Sequence, residues 1–278
     1  MKHCLMLNKA WRGFTRVANT YHSNTCVSQM NTLHKNCRHF STVLPQQTGK
    51  DPSPILHKEK RQLITDPLQH PDFFGIKNLV TMKKLFFSRV YFGHKKGSRN
   101  EHMQPYLYGN RLGVDIFDLD QTLEHMHRAL NFVAHIAYLK GIILFIMRSQ
   151  QHGHAVELAA KACGEYAHTR EWQQGLLLNM GQKHRSVRLP DICIFLSLQD
   201  VMNQEHPAVA ECGKLKIATV GIVDSNVNPT MITYPVPGND DSPESVGLYL
   251  QLFQLAIQSG KQKRIEADQQ KQDVSQLK

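Results

Sequence analysis

The feature that most constrains this chain is a repeated alternation between short, wholly apolar runs and longer stretches with helical periodicity. Gly141 is followed directly by Ile142-Ile143-Leu144-Phe145-Ile146, with no polar residue at alternate positions. A strand covered on one face alternates, whereas a strand buried on both faces reads as an unbroken apolar run, so this segment belongs inside a parallel sheet. The unit recurs downstream: a helix around Ala155 to Tyr166, a strand at Ile192 to Leu196, a helix around Pro207 to Cys212, a strand at Thr219 to Val223 and a helix from Pro243 to Ser259. Parallel neighbours need crossovers, which are right-handed, and the pattern therefore predicts a three-layer α/β/α domain.

The helix before Gly141 is the clearest in the chain. Asp118 can cap it, Gln121 completes a capping-box spacing, and Leu119, Leu123, Met126, Leu130, Val133 and Ala137 form one apolar stripe. Asp120, Glu124, Arg128 and His135 face the other way. Upstream, helical periodicity runs from Ile76 to about Tyr91, and a loop rich in Gly, Lys and Arg then extends to Arg111. Residues 41–75 hold Pro45, Pro52, Pro54, Pro67 and Pro71 with little periodicity and read as a linker or an arm over the surface. The domain is expected over residues 76–260, followed by a charged, Gln-rich tail at 261–278 that is partly disordered or a frayed helix.

Charge separates the ends from the middle. The chain carries +10 overall, but residues 1–50 hold seven Lys or Arg and no acid, leaving 26 basic and 23 acidic side chains in the rest. Acid depletion over so long a Ser- and Thr-containing stretch is the composition of an organellar transit peptide. On a helix Leu7, Trp11, Phe14 and Ala18 would share one face and Lys9, Arg12 and Arg16 the other, as import receptors and anionic membranes require. Arg38 before His39-Phe40-Ser41 suggests cleavage near residue 40, so 1–40 is read as a mitochondrial presequence and the protein as a matrix one. The longest strongly apolar run, Ile142 to Met147, is far short of the roughly 20 residues a membrane span needs.

Several chemistries are disfavoured. Six cysteines stand at 4, 26, 37, 163, 193 and 212 without a CxxC pair, so neither a disulfide framework nor a zinc site is indicated, and the last three are expected as small buried thiols. His125 with His127, and His152 with His154, sit two apart, which on a helix points them to different faces. Met147-Arg148-Ser149 follows the first buried strand where a glycine-rich phosphate loop would stand, so no nucleotide cofactor is expected. Asp224, Asp240 and Asp241 follow late strands and could serve a metal-dependent α/β enzyme. The plainer account is architectural: Pro237-Gly238-Asn239 is turn chemistry, Ser242 before Pro243 is an N-cap with proline at the first helical position, and the two aspartates suit the helix dipole.

The strongest functional signal is a local basic excess. Between Lys77 and Arg111 stand eight Lys or Arg, including Lys84, Arg89, Lys95, Lys96 and Arg99, against Glu101 alone. Gly93-His94-Lys95-Lys96-Gly97 is a glycine-flanked basic loop, which lets backbone and side chains approach phosphates together. Phe86, Phe87, Tyr91, Phe92, Tyr106 and Tyr108 interleave the cations and could stack on bases, although helical spacing favours a core position for Phe86. A second basic group, Lys183, His184, Arg185 and Arg188, precedes the strand at Ile192.

Specific stretches then carry a resemblance. Phe92-Gly93-His94-Lys95, the Met103-Gln104-Pro105-Tyr106 segment ending in Gly109-Asn110-Arg111, Asp115 through Thr122, Leu189-Pro190-Asp191, Val220 through Asn226 and Tyr234 through Ser242 occur in the order found in ribosomal protein S2. The chain is similar to that family over nearly all of residues 72–260, most of all to its animal mitochondrial form. The resemblance implies a Rossmann-like, flavodoxin-like sheet and a non-enzymatic place in the small ribosomal subunit, bound to ribosomal RNA and neighbouring ribosomal proteins. It implies RNA contacts for the loop from His94 to Arg99, and for Arg170, which aligns with an Arg-aromatic-Gly-Gly motif although Gln174 stands at one of its glycines. Only Gly181 to Arg188 separate that motif from Leu189-Pro190-Asp191, so the helical hairpin of bacterial members is absent. The RNA-binding set read in this way is Lys84, Arg89, His94, Lys95, Lys96, Arg99, Arg111, Arg170, Lys183 and Arg185.

Overall fold

A computed structural model describes residues 67–180, 187–201 and 204–276. The presequence, most of the arm, and Lys183 and Arg185 lie outside the described residues. The domain is built on five parallel strands, β4 (Ile143–Ile146), β5 (Tyr166–His168), β6 (Ile192–Phe195), β9 (Ala218–Val223) and β10 (Tyr234–Pro237), in the order β10-β9-β6-β4-β5, and β7 (Gln199–Val201) and β8 (Gln204–Glu205) form a separate antiparallel pair after β6. Both faces of the central strands are covered, as the unbroken apolar runs require. Ile143 and Phe145, Ile192 and Ile194, and Val220 and Ile222 enter one hydrophobic cluster, while Ile146, Cys193, Phe195 and Val223 enter the other.

The first cluster lies under α2 (Leu119–Tyr138), α3 (Gln150–Cys163) and α5 (Pro243–Gln276), the second under α4 (Pro207–Leu215) and the segment bearing Trp172 and Leu177. The three-layer α/β/α reading therefore holds. Asp118 caps α2, accepting from the Asp120 amide at 3.1 Å, and Gln121 Nε2 reaches back to the same carboxylate at 3.0 Å. The buried face of α2 is centred on Met126, Ala129, Leu130, Val133, Ala134 and Ala137, with Leu119 and Leu123 at its edge. Cys163, Cys193 and Cys212 are buried free thiols, as expected from their positions.

Two segments depart from the sequence reading. Residues 76–91 do not form one helix: a 3-10 turn at Ile76–Asn78 precedes a short α1 (Met82–Phe87), and Arg89 adopts φ 56° before the chain extends. The Gly-, Lys- and Arg-rich stretch is not a loop but an antiparallel sheet, β1 (Phe92–Lys95), β2 (Leu107–Arg111) and β3 (Val114–Phe117), in the order β1-β3-β2. Leu112 and Gly113, at φ 53° and 82°, close the β2–β3 hairpin with the positive φ pair that matches strand twist.

The C-terminal helix does not stop at Gly260 but continues to Gln276. Gly260 is a contact glycine instead of a cap: a Cβ there would overlap the Ala134 carbonyl oxygen of α2 and press on Ala137. Past that crossing Lys261 pairs with the buried Glu165, Arg264 donates to the Ala137 carbonyl at 3.3 Å, and Ala267 is buried. These contacts replace the apolar stripe that the tail lacks. No helix among the described residues is long and apolar enough to cross a membrane.

Candidate nucleic-acid interface

The small sheet is fixed to the carboxyl end of β9 through one serine. Ser225 accepts the His94 amide on its Oγ at 2.8 Å and the Asn100 amide on its carbonyl, also at 2.8 Å. Gly93 permits this approach, since a Cβ would stand 3.1 Å from Ser225 Oγ and 3.2 Å from the Asp115 carbonyl. The Lys96 amide closes the base of the basic segment onto the Gly113 carbonyl at 3.1 Å.

Asp115 organises the segment from below. It is fully buried between outward-facing Val114 and Ile116, the reverse of the usual strand pattern, and accepts Arg99 Nε at 2.7 Å, Arg99 Nη2, and Asn110 Nδ2 at 2.7 Å. The Arg99 hydrogen bonds hold its carboxyl below the usual range against the opposing effect of burial, with Asn110 assisting. Arg99 is thereby committed inward, and the side chains it leaves facing solvent are Lys95 and Lys96 on one side of the hairpin and Arg111 on the other.

His94 is held by carboxylates. Its Nδ1 lies 3.1 Å from Asp224 Oδ2 and its Nε2 3.3 Å from Asp241 Oδ2, and its pKa is raised to about 9, chiefly by the hydrogen bond to Asp224. Asp240 is buried beside them, and burial followed by the Asp224 charge pushes its carboxyl well above the usual range. His94, Asp224 and Asp241 each offer one ligand atom within 4.8 Å of the others, so these three could hold a metal ion. The carboxylates of the enzyme reading thus converge, but onto an imidazole that bridges two of them. The following turn is architectural: Asn239 Oδ1 accepts the amides of Asp241 and Ser242 at 2.9 and 3.3 Å, and Ser242 stands directly before Pro243, where α5 begins. His152 is buried and places its Nε2 3.2 Å from the Asp241 carbonyl.

The other proposed contacts are scattered. Lys84 Nζ donates to the Leu79 carbonyl at 2.8 Å, and Arg89 lies 3.4 Å from Glu244 with both side chains more than half exposed. Arg170 is exposed at the far side of the parallel sheet, after β5. Its segment is shaped by Glu211, a buried carboxylate of α4 that accepts Trp172 Nε1 at 3.1 Å, the Gly175 amide at 2.7 Å and the Leu177 amide at 2.9 Å. Sequence reasoning missed both Glu211 and Asp115. The signal for Glu211 was present, since it lies three residues after Ala208 and one before Cys212, on the apolar face of its helix.

Aromatic exposure corrects one expectation. Phe86 is not core but 55% exposed, and Phe87 and Tyr108 are 76% and 83% exposed. Phe86 stacks on Tyr91 with centroids 5.1 Å apart and an interplanar angle of 15°.

The family model for ribosomal protein S2 matches residues 85–192 and 179–260. Bovine "Small ribosomal subunit protein uS2m" is 50% identical over 207 residues, covering 73% of this chain and 70% of its own length. Bacterial relatives named "Small ribosomal subunit protein uS2" include those of Paramagnetospirillum magneticum, 31% identical over 66% of this chain and 85% of theirs, and Erythrobacter litoralis, 31% over 65% and 90%. These matches identify a structural protein and not an enzyme: the chain belongs to the ribosomal protein S2 family, in its animal mitochondrial form.

Proposed function

We propose that this protein is a constituent of the small subunit of the mitochondrial ribosome, where it binds small-subunit ribosomal RNA, docks neighbouring ribosomal proteins and supports mitochondrial translation. The observation that carries the RNA contact is the clamp under the basic segment. With Arg99 tied to Asp115 and His94 to Asp224, the segment is rigid, and Lys95, Lys96 and Arg111 project from it into solvent. Preorganised cations on a fixed backbone lose little entropy when phosphates are neutralised, and the released counterions supply affinity. Arg99 and His94 position the segment from beneath, held by Asp115 and by Asp224 and Asp241. Arg170 adds a separate contact beyond β5, and Lys183 and Arg185, outside the described residues, a further one. Residues 1–40 direct import into the matrix and are removed there.

Binding of the matured chain to mitochondrial small-subunit RNA, followed by filter retention across a salt series, tests this reading. Each phosphate contact contributes roughly 0.7 to 0.9 to the slope of log affinity against log salt. Changing Lys95 and Lys96 together to alanine is expected to flatten the slope by about 1.4 to 1.8. An unchanged slope would remove these lysines from the interface.

A further inference from the structure

The small antiparallel sheet has an inner face that is filled and an outer face that is not. Asp115 and Phe117 point inward, so their register partners alternate with the outward residues. On the outer face Phe92 pairs with Ile116, and the next row places Val114 between Lys95 and Arg111. Tyr108 is the extra residue where the β2 register shifts, and such a bulge turns a side chain away from the sheet.

The exposed rings are contiguous. Phe87 meets Phe86 at 6.2 Å between centroids, Phe86 stacks on Tyr91 at 5.1 Å, and Tyr91 meets Phe92 at 4.4 Å. Tyr108, Phe86, Tyr91 and Ile116 line one groove of about 510 Å³. This ring series, with Phe86, Phe87 and Phe92 exposed and Tyr91 half-buried between them, ends at the cation row of Lys95 and Arg111. Asp118 and Asp120 line the same groove; the Asp118 carboxylate is occupied by the α2 N-terminus and Gln121, while Asp120 is exposed.

An unpaired strand presents base faces as well as phosphates, and this face offers stacking partners beside cationic ones. A duplex hides its bases within the stack and could use only the cations. An apolar protein segment would fit the rings but gain nothing from Lys95 and Arg111, so charge decides between them. We propose that this outer face binds a single-stranded stretch of RNA, with unpaired bases stacked on Tyr108 and Phe87 and along the Phe86–Tyr91–Phe92 series, and phosphates on Lys95 and Arg111. The assignment rests on the RNA-binding reading above and narrows it to unpaired nucleotides.

Fluorescence anisotropy of the full chain with a labelled oligouridylate, and with a blunt RNA duplex of equal length, tests it. Tyr108 and Phe87 are so exposed that replacing both by alanine leaves the fold intact, which circular dichroism checks. The double variant is expected to bind oligouridylate about ten- to a hundredfold more weakly, with Tyr108→Trp retaining affinity and duplex binding unmoved. Undiminished oligouridylate binding by the double variant, alongside weakening of both RNAs by Lys95→Glu, overturns stacking and leaves RNA binding standing. If Lys95→Glu and Lys96→Glu together weaken neither RNA, the underlying reading falls and this one with it. Normal oligouridylate binding combined with failure of the double variant to enter the small subunit assigns the face to a protein neighbour and also overturns the proposal.

Discussion

Replacing Arg99 by alanine removes a cation from the basic segment, but the larger expected effect is on stability. Asp115 has no exposed surface and would keep only the 2.7 Å bond from Asn110 Nδ2. Removing one partner of a buried ion pair typically costs about 3 to 5 kcal/mol, because the remaining charge is stranded. The surviving Asn110 bond, and access for water where the partly exposed guanidinium stood, place this case at the lower end, near ~3 kcal/mol. For a domain of this size that lowers Tm by about 6 to 12 °C. Lys95→Ala and Lys96→Ala, both at exposed positions, should stay within about 0.5 kcal/mol of the parent.

Urea unfolding followed by far-ultraviolet circular dichroism separates the two classes. A pH series adds a second check. Asp115 titrates below its unfolded value of about 3.9 when Arg99 is present, so the pair stabilises above that pH and the contribution is lost as pH falls through the folded value. The gap between Arg99→Ala and the parent should therefore close in acid. An Arg99→Ala protein as stable as the parent at neutral pH, yet impaired in RNA binding, would refute the argument and place the guanidinium on phosphate.

Three further outcomes are expected. His94 is held charged by Asp224 and titrates near 9, so its contribution is fully present below about pH 6.5 and is lost as pH rises through 9; urea midpoints in chelator should fall over that window for the parent and stay flat for His94→Ala. Gly260→Ala forces a Cβ onto the Ala134 carbonyl where α5 crosses α2, and an overpacking cost of about 1 to 3 kcal/mol outweighs a helix-propensity gain of roughly 1; calorimetry should show a lower Tm. Glu211→Ala strands three donors, for a net loss of roughly 3 kcal/mol after water enters, and Trp172 emission should move to the red in a chain lacking residues 1–40.

The parallel sheet was legible because burial on both faces leaves an unbroken apolar run, as at Ile143–Ile146 and Ile192–Phe195. Strands at the edges were harder to read. β5 has only three residues and β10 contains Pro235 and Pro237, so neither presents the composition of a buried strand. The small antiparallel sheet was missed because its alternation is inverted, with Asp115 inward and Val114 and Ile116 outward. Gly260 looked like a helix end because local signals cannot distinguish a cap from a glycine required by a neighbouring helix.

The candidate site divides in the same way. Charge counting located the basic segment, but it could not separate Lys95 and Lys96, which face solvent, from Arg99, which a distant carboxylate turns inward. The exposure of Phe86 also escaped, because the helical pattern runs on to Tyr91 whereas the chain breaks at Arg89 and brings Tyr91 back onto Phe86.

The central claim is most directly tested by sedimenting a mitochondrial lysate through a sucrose gradient in Mg²⁺, following the tagged protein against small-subunit ribosomal RNA. Co-migration with the small subunit is predicted, and its loss when Lys95 and Lys96 are changed to Glu in a protein that still folds. A protein that stays at the top of the gradient in Mg²⁺, or a charge-reversed variant that sediments with the subunit unchanged, would contradict it.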